Sequence, residues 1–126
     1  MELVLNESKY WDFIRELRNT EGIKEGFINQ AHITPEMHND FMKNFYICII
    51  DTKPAGYVGV IDNDIRVATH PHFQGVGVGT FMINEIMKIY PNAFAKVKLK
   101  NEASIRLFKK CGFKEKYYIL EKNDNL

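Results

Sequence analysis

Apolar residues along the chain follow two periods, one near 3.6 and one of 2, and these set out the elements. Residues 2–5 are a short strand candidate, and Asn6 or Ser8 can cap a helix after it. Tyr10, Phe13, Ile14 and Leu17 then recur at i, i+3, i+4 and i+7, with Asp12, Arg15 and Glu16 between them. That spacing predicts one buried face of an amphipathic helix. Residues 19–33 show no sustained period and contain Gly22 and Gly26, so they predict a loop, of a length that is usually functional. Thr34 as cap and Pro35 in the first turn predict a second helix to about Asn44. The continuous apolar run 45–51 predicts a buried strand, residues 52–56 the turn out of it, and 57–62 its antiparallel partner. A turn at Asp62-Asn63-Asp64 returns the chain as a strand over 65–69, with Ile65, Val67 and Thr69 to one side and Arg66 and Ala68 to the other.

The second half opens with a loop, His70-Pro71-His72-Phe73-Gln74-Gly75-Val76-Gly77-Val78-Gly79, that runs directly into a helix. Gly79, Met82, Ile83, Ile86 and Tyr90 form its expected packed face, Thr80, Asn84 and Lys88 its wet face, and Pro91 its end. Apolar and basic residues alternate over 95–100, which predicts a strand across 93–100. Asn101 opens a last helix with Ser104, Leu107, Phe108 and Cys111 inward, Gly112 stops it, and the aromatic-rich 113–121 predicts a final strand. This order describes an α+β or mixed α/β sheet.

With 126 residues, 45% hydrophobic and 26% charged, the chain is expected to be one globular domain, 1–126. No apolar run reaches a membrane span and the N-terminus does not read as a signal peptide, so a cytoplasmic protein with no membrane partner is expected. Cys48 and Cys111 are expected as free thiols. A net charge of +1 argues against nucleic acid as a partner. Its distribution is uneven, with 8 Lys/Arg against 12 Asp/Glu in residues 1–90 and 9 against 4 in 91–126. The basic last third suits a polyanionic cofactor.

The glycine loop carries the chemistry. Its glycines let the backbone turn N–H groups toward one point, and the helix behind adds first-turn orphan amides and the positive end of its dipole. A phosphate or pyrophosphate is the natural guest. The loop is neither the dinucleotide fingerprint G-x-G-x-x-G nor a nucleoside-triphosphate loop ending in Lys-Ser/Thr. It matches Gln/Arg-x-x-Gly-x-Gly/Ala, as Gln74, Gly77 and Gly79, after the pair His70-Pro71. Here the chain resembles the GNAT superfamily of acyl-CoA-dependent N-acetyltransferases. Residues 101–113 resemble that family's Asn-x-x-small-x-x-Leu-Tyr-x-x-x-Gly-Phe element, one helix and one strand further on.

The resemblance implies a mixed, mainly antiparallel central sheet flanked by about four helices. It also implies acetyl-CoA as co-substrate and direct transfer to a small-molecule amine acceptor. Its cofactor-binding residues are Val67 and Thr69 on the strand, Gln74, Gly75, Val76, Gly77, Val78, Gly79 and Thr80 in the loop and first turn, and Asn101, Ser104 and Phe108 on the last helix. A backbone N–H of strand 67–69 is to meet the negative charge that develops on the thioester oxygen. Phe108 departs from the pattern, because the family tyrosine there is proposed to protonate the departing thiolate and a phenylalanine cannot. Either the thiolate leaves unassisted or through water, or another donor serves, with Tyr117, Tyr118 and Cys111 as candidates by sequence proximity. The tail after Phe113 is short, so a second subunit, in a homodimer, is expected to complete the acceptor pocket.

Amine acetylation also needs a base for the amine proton. Asp62 and Asp64 lie in the turn before the cofactor strand, where Asp-Asn-Asp also suits a plain turn; Asp64 is the catalytic candidate. His70 and His72 are expected at the loop surface, and without a third ligand nearby no metal site is expected. His38, with Phe41, Met42 and Phe45, falls on the apolar face of the second helix and by periodicity is a core histidine. The stretch Leu17-Arg18-Asn19, then Thr34 to His38 and Phe41, nevertheless resembles bacterial GNAT enzymes that acetylate amino groups on nucleotide-linked sugars. That resemblance implies Arg18 and His38 at the acceptor, His38 as a second catalytic candidate, and a nucleotide-linked amino sugar as favoured acceptor. Another small amine or a protein N-terminus is the alternative, as is a non-catalytic acyl-CoA-binding module.

Overall fold

Both expected hairpins form, with tight two-residue connections. The computed structural model describes residues 1–20 and 45–123. Strands β1 (Glu2–Leu5), β2 (Phe45–Ile50), β3 (Lys53–Ile61) and β4 (Asp64–Thr69) make one antiparallel sheet in that order. Ile50 pairs with Lys53, leaving Asp51 and Thr52 to turn at φ 49° and 68°, and Ile61 pairs with Asp64 around Asp62 and Asn63 at φ 53° and 65°. Two successive positive φ values match the right-handed twist of the flanking strands, as hairpins of this length require. The expected turn over 52–56 is therefore mostly strand. Between Cys48 and Ile49 the register shifts, and Ala55 is the extra residue opposite them. This bulge admits Pro54 to the strand.

The strands present alternate residues to two faces, and each face builds its own core. On one, α1 (Trp11–Asn19) lays Ile14 and Leu17 over Phe45, Ile47, Ile49, Tyr57 and Ala68. A 3-10 turn, Ser8–Tyr10, leads into α1, and the cap position is Tyr10 with no side-chain hydrogen bond, so neither Asn6 nor Ser8 caps it. On the other face, α2 (Val78–Ile89) packs Val78, Met82, Ile83 and Ile86 over Cys48, Val58, Val60 and Ile65. The first packed residue of α2 is Val78 where Gly79 was expected. α3 (Glu102–Lys110) adds Phe108 to that core, its ring edge-on to Phe113 at 5.1 Å. The Asn101 side chain caps α3 by accepting from the Ser104 N–H at 3.2 Å, and Gly112, at φ 94°, ends it.

The two strands expected in the C-terminal third are not present. Over 93–100 only Phe94 pairs, in an isolated parallel bridge with Asp64. The Ile65 N–H donates to the Phe94 carbonyl at 2.8 Å and the Phe94 N–H to the Asn63 carbonyl at 2.8 Å. Beyond it the Lys96 N–H donates to Asp64 Oδ1 at 3.3 Å, a side chain taking the place of a ladder partner. Residues 113–121 likewise form no strand, because 95–100 offers them no paired edge. The loop and helix expected over 19–44, with His38 and Phe41, fall almost wholly outside the described residues.

Two glycines set how closely layers approach. A Cβ on Gly56 would lie 2.5 Å from the Ala68 carbonyl oxygen and 2.9 Å from Met82 Cε, whereas one on Gly79 would meet only the mobile end of Leu107, at 2.8 Å. Gly56→Ala is expected to lower stability by about 1–3 kcal/mol, the usual overpacking cost. Gly79→Ala is expected to change it by less than about 1 kcal/mol, because the gain in helix propensity offsets the contact. Urea unfolding of both variants checks the contrast.

Candidate active site

At the end of β4 the chain is held by short bonds before it reaches the glycines. The His70 N–H donates to the Ala55 carbonyl at 2.8 Å, its imidazole Nδ1 accepts from the His72 N–H at 3.2 Å, and Pro71–Phe73 make a 3-10 turn. The Gln74 side chain reaches back to the Thr69 carbonyl at 3.4 Å. Gly75 and Gly77 then adopt φ 83° and 88°, the left-handed region that L side chains avoid, with open space where a Cβ would be. Gly79 is helical, so two of the three glycines make the turn.

The result is a run of amides with nothing to bind. Among the described residues no backbone carbonyl accepts from the N–H groups of Gly75, Val76, Gly77, Val78, Gly79 or Thr80. The next amide, of Phe81, donates to the Gly77 carbonyl at 3.0 Å and begins the helical ladder. Six free donors at the positive end of α2, beside two αL glycines, form an anion nest. The residues fit a pyrophosphate, and they would hold it through backbone amides.

Beside the nest, the outer edge of β4 is open. Alternate residues of a strand aim their N–H and C=O to opposite sides. Ile65 donates outward to Phe94 and His70 donates inward to Ala55, so Val67 and Thr69 turn their backbone groups to the outer edge. The edge is pinned at Ile65 and unpaired from Val67 onward among the described residues. An extended amide-bearing chain, such as the pantetheine arm of coenzyme A, can add to such an edge, with the Val67 N–H left to donate to a developing oxyanion.

The other expected site residues divide. Ser104 and Asn101 serve the α3 cap, and Phe108 is buried in the α2 core. Cys111 touches Thr80, and burial pushes its thiol up. Tyr117 and Tyr118 are about four-fifths exposed on the tail, at 81% and 79%. Asp64 is buried with both oxygens engaged, Oδ1 by the Lys96 amide and Oδ2 by Arg66 Nε at 3.3 Å. His70 stacks on Phe13 and His72, and with Phe73, Lys53 and Pro54 they line an open pocket of about 390 Å³ on the α1 face. His38 lies outside the described residues. Sequence reasoning missed Tyr57 and Arg66, which share the α1 face with Asp64; only the period-two pattern of β3 and β4 could have placed them there.

Comparison with known proteins places this geometry in a class. Residues 8–113 match the acetyltransferase (GNAT) family, and the chain belongs to that family, whose acetyltransferases use acetyl-CoA as co-substrate. By sequence alone no curated protein matches significantly. Among solved structures, the fold is similar to a spermidine N-acetyltransferase from Vibrio cholerae in complex with CoA and spermine, with TM-score 0.81 and 17% identity over 96% of this chain and 85% of that one. It is also similar to a ribosomal-protein-alanine N-acetyltransferase from Brucella melitensis, with TM-score 0.79 and 15% identity over 93% and 86%. A putative acetyltransferase from Salmonella typhimurium with its cofactor acetyl-CoA gives 0.75 and 18% over 90% and 79%. Among the described residues no helix is long and apolar enough to cross a membrane, and no group of His, Cys, Asp or Glu is placed to hold a metal.

Gly77→Glu puts a side chain at φ 88° and a negative charge at the nest. Calorimetric affinity for coenzyme A is expected to fall at least about 100-fold, since charge-assisted hydrogen bonds worth about 3 kcal/mol are replaced by repulsion. Asp64→Ala, which frees the Lys96 amide and Arg66, is expected to lower stability by about 1–3 kcal/mol in urea unfolding.

Proposed function

We propose that the protein transfers an acetyl group from acetyl-CoA directly to a primary amine of a small acceptor, favouring an amino sugar linked to a nucleotide, in the cytoplasm. The observation that supports this reading is the union of six unbonded amides at the start of α2 with the open edge of β4. Gly75 to Thr80 hold the pyrophosphate, Val67 and Thr69 align the pantetheine arm, and the Val67 amide stabilises the oxyanion that forms as the amine attacks. The thioester supplies an activated acyl group and a thiolate leaving group.

Proton removal is assigned to His38. Asp64, the other candidate, has both oxygens in use and acts in this reading as the tie that holds residues 94–96 beside β4. Phe108 offers no proton, Cys111 lies against Thr80 and the tail tyrosines face solvent, so the thiolate leaves without a side-chain acid. The acceptor side is completed by a second copy, which covers the exposed run Tyr117, Tyr118, Ile119 and Leu120. The neighbours crystallised with CoA and spermine or with acetyl-CoA support acetyl-CoA as donor and an amine as acceptor. The Arg18-Asn19 and His38 pattern supports the sugar nucleotide.

The experiment is calorimetry with acetyl-CoA and coenzyme A, followed by thiol release with an amine panel that includes nucleotide-linked 4-amino sugars. Release on the sugar nucleotides, lowered about 10²–10⁴-fold in His38→Gln, is the expected result. Binding without release on any amine would leave an acyl-CoA-binding module. Absence of binding would end the reading.

A further inference from the structure

Residues 93–97 run beside β4 in the manner of a strand, yet they pair with it only once. Ala93 is buried in the α2 core, and Ala95 and Val97 pack against that same core, so every second residue turns inward. Lys96 and Lys98 alternate with them. Pairing nevertheless stops at the bridge between Phe94 and Asp64.

The register identifies the bond that is missing. At the bridge the Phe94 N–H donates to the Asn63 carbonyl and the Ile65 N–H to the Phe94 carbonyl. A parallel ladder advances two residues at a time on each strand, so the next donors would be Lys96 to the Ile65 carbonyl and then Val67 to the Lys96 carbonyl. The first of these does not form, because Asp64 Oδ1 takes the Lys96 N–H at 3.3 Å. Asp64 is buried and its other oxygen lies 3.3 Å from Arg66 Nε, so the carboxylate is fixed where it meets that amide. A charged acceptor bonds roughly twice as strongly as a peptide carbonyl, which decides the competition for one N–H. The second bond then has no acceptor in place, and the Val67 N–H stays free among the described residues.

We infer that Asp64 is a positioning residue for the acyl-CoA arm: by capturing the Lys96 amide it stops residues 95–100 from pairing along β4 and keeps the edge at Val67 and Thr69 open. The inference rests on the transferase reading above and deepens it, since that edge is where the pantetheine arm adds. The edge has two states, open with Lys96 on Asp64 and closed with 95–100 as a fifth strand, and coenzyme A binds the open one. Asp64 itself touches no reacting atom.

The test compares the wild type with Asp64→Ala, which removes the acceptor, and Asp64→Asn, which keeps a neutral one. Amide hydrogen exchange of Val67, followed by NMR, and calorimetric affinity for coenzyme A both scale with the fraction of molecules whose edge is open. In the free wild type Val67 is expected to exchange close to the rate of an unprotected amide. In Asp64→Ala an edge open about one time in ten slows Val67 about tenfold and weakens coenzyme A about tenfold. Asp64→Asn is expected to fall between the two, and it keeps the test if Asp64→Ala does not fold. ADP, which brings a pyrophosphate without the arm, is expected to bind all three equally. A purely structural role has the opposite sign, because a destabilised protein exchanges its amides faster. Slow exchange of Val67 in the free wild type, exchange slowed in neither variant, or a loss of ADP equal to that of coenzyme A would overturn the inference. A wild type that binds no coenzyme A would instead overturn the transferase reading, and the exchange of Val67 would still decide the role of Asp64.

Discussion

Both oxygens of the Asp64 carboxylate are held, one by the Lys96 amide and one by Arg66, and this tie sets where the chain after α2 leaves the sheet. Phe94 is bridged to the start of β4 and the chain then diverges. Were the parallel ladder to continue, the amides of Val67 and Thr69 would be consumed by a neighbouring strand, and no edge would remain for a pantetheine arm. A short pairing closed by a side chain therefore keeps backbone donors available at one place.

The glycine loop meets the same requirement by another route. At the N-terminus of any helix the first amides lack intrahelical acceptors, and here two left-handed glycines extend that set backward into the loop. His70 and Gln74 secure the approach by bonding to their own neighbourhood, which leaves the six amides beyond them unspent. The nest and the open edge are continuous along one chain segment, so a ligand with a pyrophosphate and an amide-bearing arm can satisfy both together.

The α1 face carries the complementary asymmetry. Its core is apolar around Ile14, Leu17 and Phe45, yet it includes the Tyr57 hydroxyl, two arginines and the Asp64 carboxylate. Each face of the sheet packs a helix, and the one under α1 also holds charge at the end of the sheet next to β4.

Local rules made much of this legible in the residues alone. Strong amphipathic spacing identified α1, α2 and α3, Asp-Asn identified a hairpin, and Gln74, Gly77 and Gly79 identified the anion loop, because each depends on contacts within a few residues. The expected strands over 93–100 and 113–121 failed for the opposite reason. Alternation says that a segment can lie on a sheet, but pairing depends on an edge supplied from elsewhere, and Asp64 draws the Lys96 amide away from it. Likewise Gly79 and Gly56 look alike in sequence, and only the layers packed against them decide that one meets a mobile leucine and the other a fixed carbonyl. The sequence by itself determined α1, α2, α3, the four paired strands and the glycine turn, since each is set largely by neighbouring residues. The open edge of β4, the employment of Asp64 and the company of Tyr57 were decided by tertiary structure, because each joins residues far apart in the chain.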